Sequence, residues 1–338
     1  VLKGTLTMPE NCSRETPVLL MVTGSGFQNR DEEMFGHKPF AVIADAFANA
    51  GIATLRYDDR GFGESTGDVV SCTTEDLKND ALAGIGLLRG KFDHVGVLGH
   101  SEGGSIALML AAEGKADFVI SLAGMVASGA ETLLDQNRRA LQMAGMPESE
   151  ISNYCRFLAD AYEAVANDMP LPSPESYYLS AALKQNASML SASLKTPYMK
   201  YFLKMNVSDI LGSVKCPVMA LNGTKDIQVS CDRNLTLLRQ GLPGSYSESV
   251  PVTDSGSDLG SGSGSNFRSA TAPTAETSSV SRSSSVSVIN VIRAEAGLNH
   301  LFQHCRTGAV SEYKEIEETF SQDVLAEMIT WLHTLFAR

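Results

Sequence analysis

The first 124 residues consist of short apolar runs separated by stretches in which apolar residues recur at helical spacing. The predicted strands are Val1–Leu6, Val18–Val22, Ile52–Tyr57, Val95–Leu98 and Val119–Leu122. The predicted helices are Phe40–Ala50, Asp76–Leu88 and Ser105–Ala112. Strands that are apolar throughout are usually buried on both faces, so this alternation predicts a mostly parallel sheet with helices on both sides.

From Met125 to Ser208, helical patterns follow one another without an intervening strand. The predicted helices are Glu131–Ala144, Ser149–Ala166 and Tyr177–Leu190, with a proline-bearing break at Met169–Pro174. An all-helical insertion within an α/β sheet is most simply a cap over one end of it. We therefore predict an α/β core made of residues 1–124 and 209–338, and a helical cap at residues 125–208.

The second part of the predicted core contains a segment of different composition. Strand character resumes at Pro217–Leu221 and Val288–Ala294, and Gln322–Phe336 is a final amphipathic helix. Between them, 16 of the 43 residues in 245–287 are serine. Such a segment buries too little apolar surface to offset its ordering entropy, so we predict a disordered insertion that protrudes from the sheet.

Charge and composition narrow the function classes. The 27 Lys and Arg against 39 Asp and Glu give a net charge of −12, which argues against a nucleic-acid partner. No apolar run approaches the ~18–20 residues of a membrane-spanning helix. A cytoplasmic protein is therefore the working expectation. The chain starts at Val1 inside a predicted strand, so we expect the natural N-terminus to lie upstream, and a secreted or periplasmic location stays open.

Gly99–Gly103 reads Gly-His-Ser-Glu-Gly, a G-x-S-x-G motif. It follows the predicted strand Val95–Leu98 and precedes the predicted helix Ser105–Ala112. This is the strand–turn–helix setting of a nucleophile elbow, where small neighbours permit a sharp turn and close approach of substrate. We therefore predict that Ser101 is a catalytic nucleophile.

A serine hydroxyl needs a histidine base, and hydrolases with such an elbow place that histidine late in the chain. Chain order argues against His37, His94 and His100, and a place in the terminal amphipathic helix argues against His333. His300 and His304 remain, both just after the predicted strand Val288–Ala294. The loop directly after a strand favours His300, with His304 as the alternative.

The base needs a carboxylate that orients it. Asp226 lies in the turn that leaves the predicted strand Pro217–Leu221, and Asp232 is the alternative. The oxyanion of the tetrahedral intermediate needs two preorganised donors. We predict the backbone amides of Glu102 and of Ser25, with Gly26 as the alternative to Ser25.

These residues together resemble the α/β-hydrolase superfamily, in particular bacterial serine esterases and dipeptidyl-aminopeptidase-like hydrolases. The matching segments are Gly24–Gly26, Asp58–Ser65, Gly99–Gly103, Gly223–Asp226 and Asn299–His300. The resemblance implies an α/β-hydrolase fold with a helical cap, and hydrolysis through an acyl-enzyme. It also implies that Asp58–Ser65 buttresses the oxyanion loop, a structural role. The serine-rich segment departs from the family pattern.

We therefore expect a serine carboxylesterase acting on a small-molecule ester, with no metal or organic cofactor. A small-peptide amidase or aminopeptidase-like hydrolase is the alternative of the same class. A non-catalytic binding protein with this fold is the alternative of another class. The sequence leaves a homodimer open.

Overall fold

An eight-stranded sheet organises the computed structural model, which describes residues 1–247 and 289–336. The strands are β1 (Gly4–Thr7), β2 (Val18–Val22), β3 (Ala53–Tyr57), β4 (Val95–His100), β5 (Val119–Leu122), β6 (Val218–Gly223), β7 (Ser245–Ser247) and β8 (Ile289–Glu295). Their order is β1-β3-β2-β4-β5-β6-β8-β7. β1 pairs antiparallel with β3, and the other neighbours are parallel.

Helices cover both faces of the sheet. They are α1 (Pro39–Asn49), α2 (Thr74–Arg89), α3 (Glu102–Ala112), α4 (Gly129–Met143), α5 (Glu148–Ala166), α6 (Ala181–Ser193), α7 (Pro197–Lys204), α8 (Cys231–Gly241) and α9 (Gln322–Phe336). Successive side chains of β2 alternate between two cores, as the period of a strand requires. Leu20 packs in the core with α2, α3 and α8, whereas Leu19 and Met21 pack in the core with α1 and α9. This is the predicted α/β-hydrolase fold.

The core beneath α1 and α9 contains the single tryptophan of the chain. Trp331 lies on α9, is 2% exposed, and meets Phe118 with the ring centroids 6.5 Å apart. The indole therefore packs directly against the side chains that cover the sheet.

The helices between β5 and β6 have an apolar cluster of their own. Phe157 and Leu158 of α5 are fully buried in it, together with Leu183 of α6 and Leu203 of α7. Two tyrosine hydroxyls of α7 reach the other part of the molecule, because Tyr201 donates to Glu75 of α2 and Tyr198 donates to Glu102 of α3. Among residues 1–247 and 289–336, no helix combines the length and the apolar character needed to cross a membrane.

The serine-rich segment needs one correction. Its first residues are not disordered, because Ser245–Ser247 forms β7 and pairs with Ile289–Val291 of β8. Strand pairing depends on backbone groups, which a polar composition leaves available. The rest of the predicted disordered insertion lies outside the described residues.

Candidate active site

Ser101 occupies a strained turn between β4 and α3. Its backbone has φ 54° and ψ −120°, which side-chain-bearing residues rarely adopt. Two glycines make the turn possible. A Cβ on Gly99 would lie 1.9 Å from the carbonyl oxygen of Gly103, and a Cβ on Gly103 would lie 2.1 Å from that of Val22. The motif therefore contains glycine where the close backbone contacts exclude any side chain.

Asp226 and His300 are brought together from the loops after β6 and β8. The Nδ1 of His300 donates to Oδ2 of Asp226 over 2.7 Å, and both side chains are buried. The other carboxylate oxygen of Asp226 accepts from the backbone N–H groups of Gln228 and Val229, at 2.8 and 2.9 Å. One oxygen thus fixes the turn while the other holds the imidazole.

The alternative residues lie elsewhere. His304 is exposed and pairs with Glu318 at 2.9 Å. Asp232 is exposed in the first turn of α8. Neither lines the cavity that contains Ser101, so the structure brings together Ser101, Asp226 and His300.

A cavity of about 190 Å³ lies at the carboxyl ends of the central strands. Ser101 and His300 border it, and Ser25 borders it from the loop after β2. Leu133 of α4 and Phe202 of α7 line it as well. The predicted nucleophile and base therefore share one cavity with side chains of the inserted helices.

Two buried carboxylates hold the loop of residues 23–28, which we call the oxyanion loop. Glu32 accepts from the Gly24 amide at 2.7 Å. Asp59 accepts from the Gln28 amide at 2.8 Å and from the Thr23 hydroxyl at 3.0 Å. Burial raises the pKa of Asp59 to about 7, although those hydrogen bonds oppose the change.

The pKa of the preceding residue, Asp58, changes in the opposite direction. Asp58 forms a two-pronged ion pair with Arg30, with distances of 3.0 and 2.7 Å. This hydrogen-bonded pair holds the pKa of Asp58 well below its usual range. Asp58 and Asp59 therefore both tie the segment 58–65 to the oxyanion loop and its continuation, which agrees with the predicted structural role.

Glu102 has a second role that the sequence did not reveal. Its side chain is fully buried and accepts from the hydroxyls of Thr74 (2.6 Å) and Tyr198 (2.5 Å). Burial raises the pKa of Glu102, and hydrogen bonds from Thr74, Tyr198 and Ser25 limit the rise. From the sequence, Glu102 is predicted to contribute only its backbone amide. An acidic residue at the start of an otherwise apolar helix was the available signal.

His100 was also missed, because chain order excluded it as a base. It is buried, with Nδ1 at 2.9 Å from Glu32 and Nε2 at 2.9 Å from the carbonyl oxygen of His300. Its ring lies 4.7 Å from that of His300, centroid to centroid. Burial alone would lower the pKa of His100, but the charge and hydrogen bond of Glu32 raise it above its ordinary value.

Comparisons with known proteins agree with this architecture. A family model described as X-Pro dipeptidyl-peptidase (S15 family) matches residues 1–240. Esterase EstD of Thermotoga maritima is 26% identical over 232 residues, or 68% of this chain and 55% of EstD, so the chain spans about half the length of that relative.

Two solved structures illustrate the similarity at lower identity. Proline iminopeptidase from Mycobacterium smegmatis is 17% identical with a TM-score of 0.47, covering 72% of this chain and 84% of that one. Est1E from Butyrivibrio proteoclasticus with bound ferulic acid is 20% identical with a TM-score of 0.43, covering 71% and 81%.

Proposed function

This chain belongs to the S15 family of X-Pro dipeptidyl-peptidases, and we propose that it is a serine hydrolase that cleaves small or medium acyl and aryl esters through an acyl-enzyme. The observation that carries the proposal is the pairing of His300 with Asp226 beside the cavity that Ser101 borders. The similarity to an esterase supports esters as the substrate class.

In the proposed mechanism, the Ser101 hydroxyl attacks the ester carbonyl while His300 takes its proton. Asp226 holds Nδ1 of His300 in the protonated form, so the other ring nitrogen is the acceptor. His300 then gives the proton to the leaving alcohol, and Ser101 keeps the acyl group. Water, activated by the same imidazole, releases the acid and restores the serine.

The oxyanion is proposed to bind the backbone amides of Ser25 and Glu102. Glu102 is the first residue of α3, where amides have no intrahelical acceptor. The Gly24 amide already donates to Glu32, and Ser25 is the next residue along the cavity wall. Gly26 instead borders a neighbouring apolar cavity, which favours Ser25 over Gly26.

We further propose that residues 125–208 act as a cap that selects the substrate. Besides Leu133 and Phe202, the side chains of Met34, Met125 and Val229 line the cavity. Polar side chains line it as well, and its volume of about 190 Å³ is small. Short acyl chains should therefore be preferred over long ones.

Cleavage of small peptides is the second candidate, and the family model favours it. A larger cavity of about 580 Å³ lies next to the first, and Thr132 of α4 lines both. Charged side chains line the larger cavity, including Glu131, Asp135 and Arg138. Such a wall suits the charged ends of a peptide better than an alkyl chain.

The test compares hydrolysis of p-nitrophenyl acetate and butyrate by the wild type and Ser101→Ala. We expect kcat to fall by about 10⁴- to 10⁶-fold, because removal of the nucleophile leaves only binding and oxyanion stabilisation. Ser188→Ala is the matched control, since Ser188 is an exposed serine of α6. Its activity should equal that of the wild type.

Aminoacyl and dipeptidyl p-nitroanilides, assayed in parallel, distinguish the two candidates. Faster turnover of the anilides than of the esters would replace the esterase proposal with the peptidase one. Absence of turnover together with absence of fluorophosphonate labelling at Ser101 would contradict both and leave the non-catalytic alternative.

A further inference from the structure

We propose that Glu32 and His100 are positioning residues that join the oxyanion loop to the loop of the base His300. This inference rests on the proposed function of Ser101 and His300. It assigns a role to two buried ionisable groups that the mechanism above does not use. Four groups form the connection: the Gly24 amide, the Glu32 carboxylate, the His100 ring and the His300 carbonyl oxygen.

A single carboxylate oxygen of Glu32 joins the Gly24 amide to the His100 ring. Oε1 of Glu32 accepts from the Gly24 amide at 2.7 Å and from Nδ1 of His100 at 2.9 Å. Glu32 is 1% exposed and has φ 52°, in the left-handed region that its side chain disfavours. Such strain persists only where surrounding contacts fix the conformation, and it concentrates at functional sites.

Both ring nitrogens of His100 take part in this connection. A carbonyl oxygen only accepts, so Nε2 of His100 carries a proton and donates to His300. Nδ1 faces the Glu32 carboxylate, so it donates as well. No ring nitrogen of His100 is then available to a substrate, which makes His100 an anchor and not a catalytic base.

The connection also places charge next to the catalytic imidazole. The titratable groups that face His100 are Glu32, the tilted ring of His300 and, beyond it, Asp226. A protonated His100 disfavours a second positive charge on His300, whose ring centroid is 4.7 Å away. Removing the charge of His100 should therefore change the pH dependence of the reaction on its acidic side.

The experiment measures kcat and KM for p-nitrophenyl butyrate between pH 5 and 9 in Glu32→Gln and His100→Gln. Both variants keep the size of the side chain, and Gln at position 100 can still donate to the His300 carbonyl. We expect kcat to fall about 10- to 100-fold, as small displacements of catalytic groups do, with KM changed less than about threefold. In His100→Gln the acidic limb of the kcat/KM profile should also move to higher pH.

His304→Gln and Glu318→Gln are the matched controls. They alter a second histidine–carboxylate pair of the same 2.9 Å length in the same region, in which the histidine is exposed and the carboxylate is half-buried. They should behave as the wild type in rate and in pH profile. The double variant Glu32→Gln/His100→Gln should lose little more than either single one, because both changes interrupt one connection.

The outcomes separate this inference from the proposed function. If the wild type hydrolyses the ester through Ser101 and both variants stay within twofold of its kcat with an unmoved pH profile, the positioning role is wrong. If the wild type shows no Ser101-dependent turnover, the proposed function fails and this inference fails with it. Should Glu32→Gln not fold, the pH profile of His100→Gln decides.

Discussion

Two buried histidine–carboxylate pairs lie side by side at this site. They differ in whether the second ring nitrogen of the histidine already has a hydrogen-bond partner. Both histidines line the cavity, and His300 uses one ring nitrogen to donate to Asp226 at 2.7 Å. His100 faces Glu32 at 2.9 Å, and its other nitrogen contacts the His300 carbonyl. The residue types are the same in both pairs. The position of the second nitrogen separates a proposed proton carrier from a proposed anchor.

The largest effect should come from changing the acid of the first pair. Oδ1 of Asp226 accepts two backbone N–H groups, so in Asp226→Asn the amide oxygen will stay there and the NH₂ will face His300. His300 must then accept at Nδ1, which leaves the wrong tautomer for a base. We expect kcat for p-nitrophenyl butyrate to fall about 10⁴-fold. Stability should fall as well, because the buried Asn222 amide donates to the same Oδ2 at 2.9 Å and would lose its acceptor.

Asp232→Asn controls for the loss of one acidic charge in the same region, because Asp232 is exposed on α8. It should leave kcat unchanged. A fall of less than about tenfold in Asp226→Asn would show that the first pair does not orient the base. The distinction between the two pairs would then be lost.

The raised pKa of Asp59, which holds the oxyanion loop, provides the second test. Its pKa of about 7 exceeds the ordinary value because of burial. Folding therefore favours the protonated form, and this stabilisation is fully present below about pH 4, is lost between about pH 4 and 7, and stays absent at higher pH. Relative to Asp59→Asn, the wild type should lose about 1.4 kcal/mol in free energy of unfolding per pH unit between roughly pH 4 and 7.

Urea unfolding of both proteins from pH 4 to 8 measures this difference. Asp58→Asn is the neighbouring control with the opposite sign, because Arg30 lowers the pKa of Asp58. Relative to Asp58→Asn, the wild type should gain free energy of unfolding as the pH rises from acidic values. Parallel stability curves for wild type and Asp59→Asn would contradict the raised pKa of Asp59.

The smallest effect should come from α7, one of the inserted helices that line the cavity. Tyr198 donates to the buried Glu102 at 2.5 Å, and Phe202 of the same helix lines the cavity. Tyr198→Phe leaves Glu102 with one hydroxyl fewer, a loss of about 1–3 kcal/mol in stability. We expect KM to rise about two- to fivefold while kcat stays within about twofold.

Tyr201→Phe is the control for this variant, since its hydroxyl contacts Glu75 of α2 and not the residue beside the nucleophile. It should leave KM unchanged. A KM change of the same size in both variants would assign the effect to helix packing in general.

Much of the fold could be predicted from the sequence because its local signals agree with its tertiary environment. Predicted and observed bounds agree for Val18–Val22 and Val119–Leu122, and differ by a few residues at α1 and α2. β2 and residues 95–98 of β4 are apolar and buried throughout, so their pattern is unambiguous. The amphipathic α8 was not predicted, because six of its eleven residues are polar and these flank its buried Leu235 and Leu238.

The candidate site was predictable only where function dictates residue type within a short motif. The strained turn at Ser101 needs glycines at fixed positions, and these are visible in the sequence. The partners of His100 lie 68 and 200 residues away. No local pattern specifies such contacts, and nothing nearby distinguishes Glu32 from Glu33. Its role follows from the loop conformation that only the folded chain provides.

The single tryptophan has a practical consequence for separating these effects. Trp331 packs against Phe118 under the sheet, on the face covered by α1 and α9. The helices between β5 and β6 contain no indole, since the chain has only one. Intrinsic fluorescence therefore reports the unfolding of the sheet, whereas circular dichroism also records melting of those helices. Comparing the two signals distinguishes melting of the helices between β5 and β6 from unfolding of the sheet.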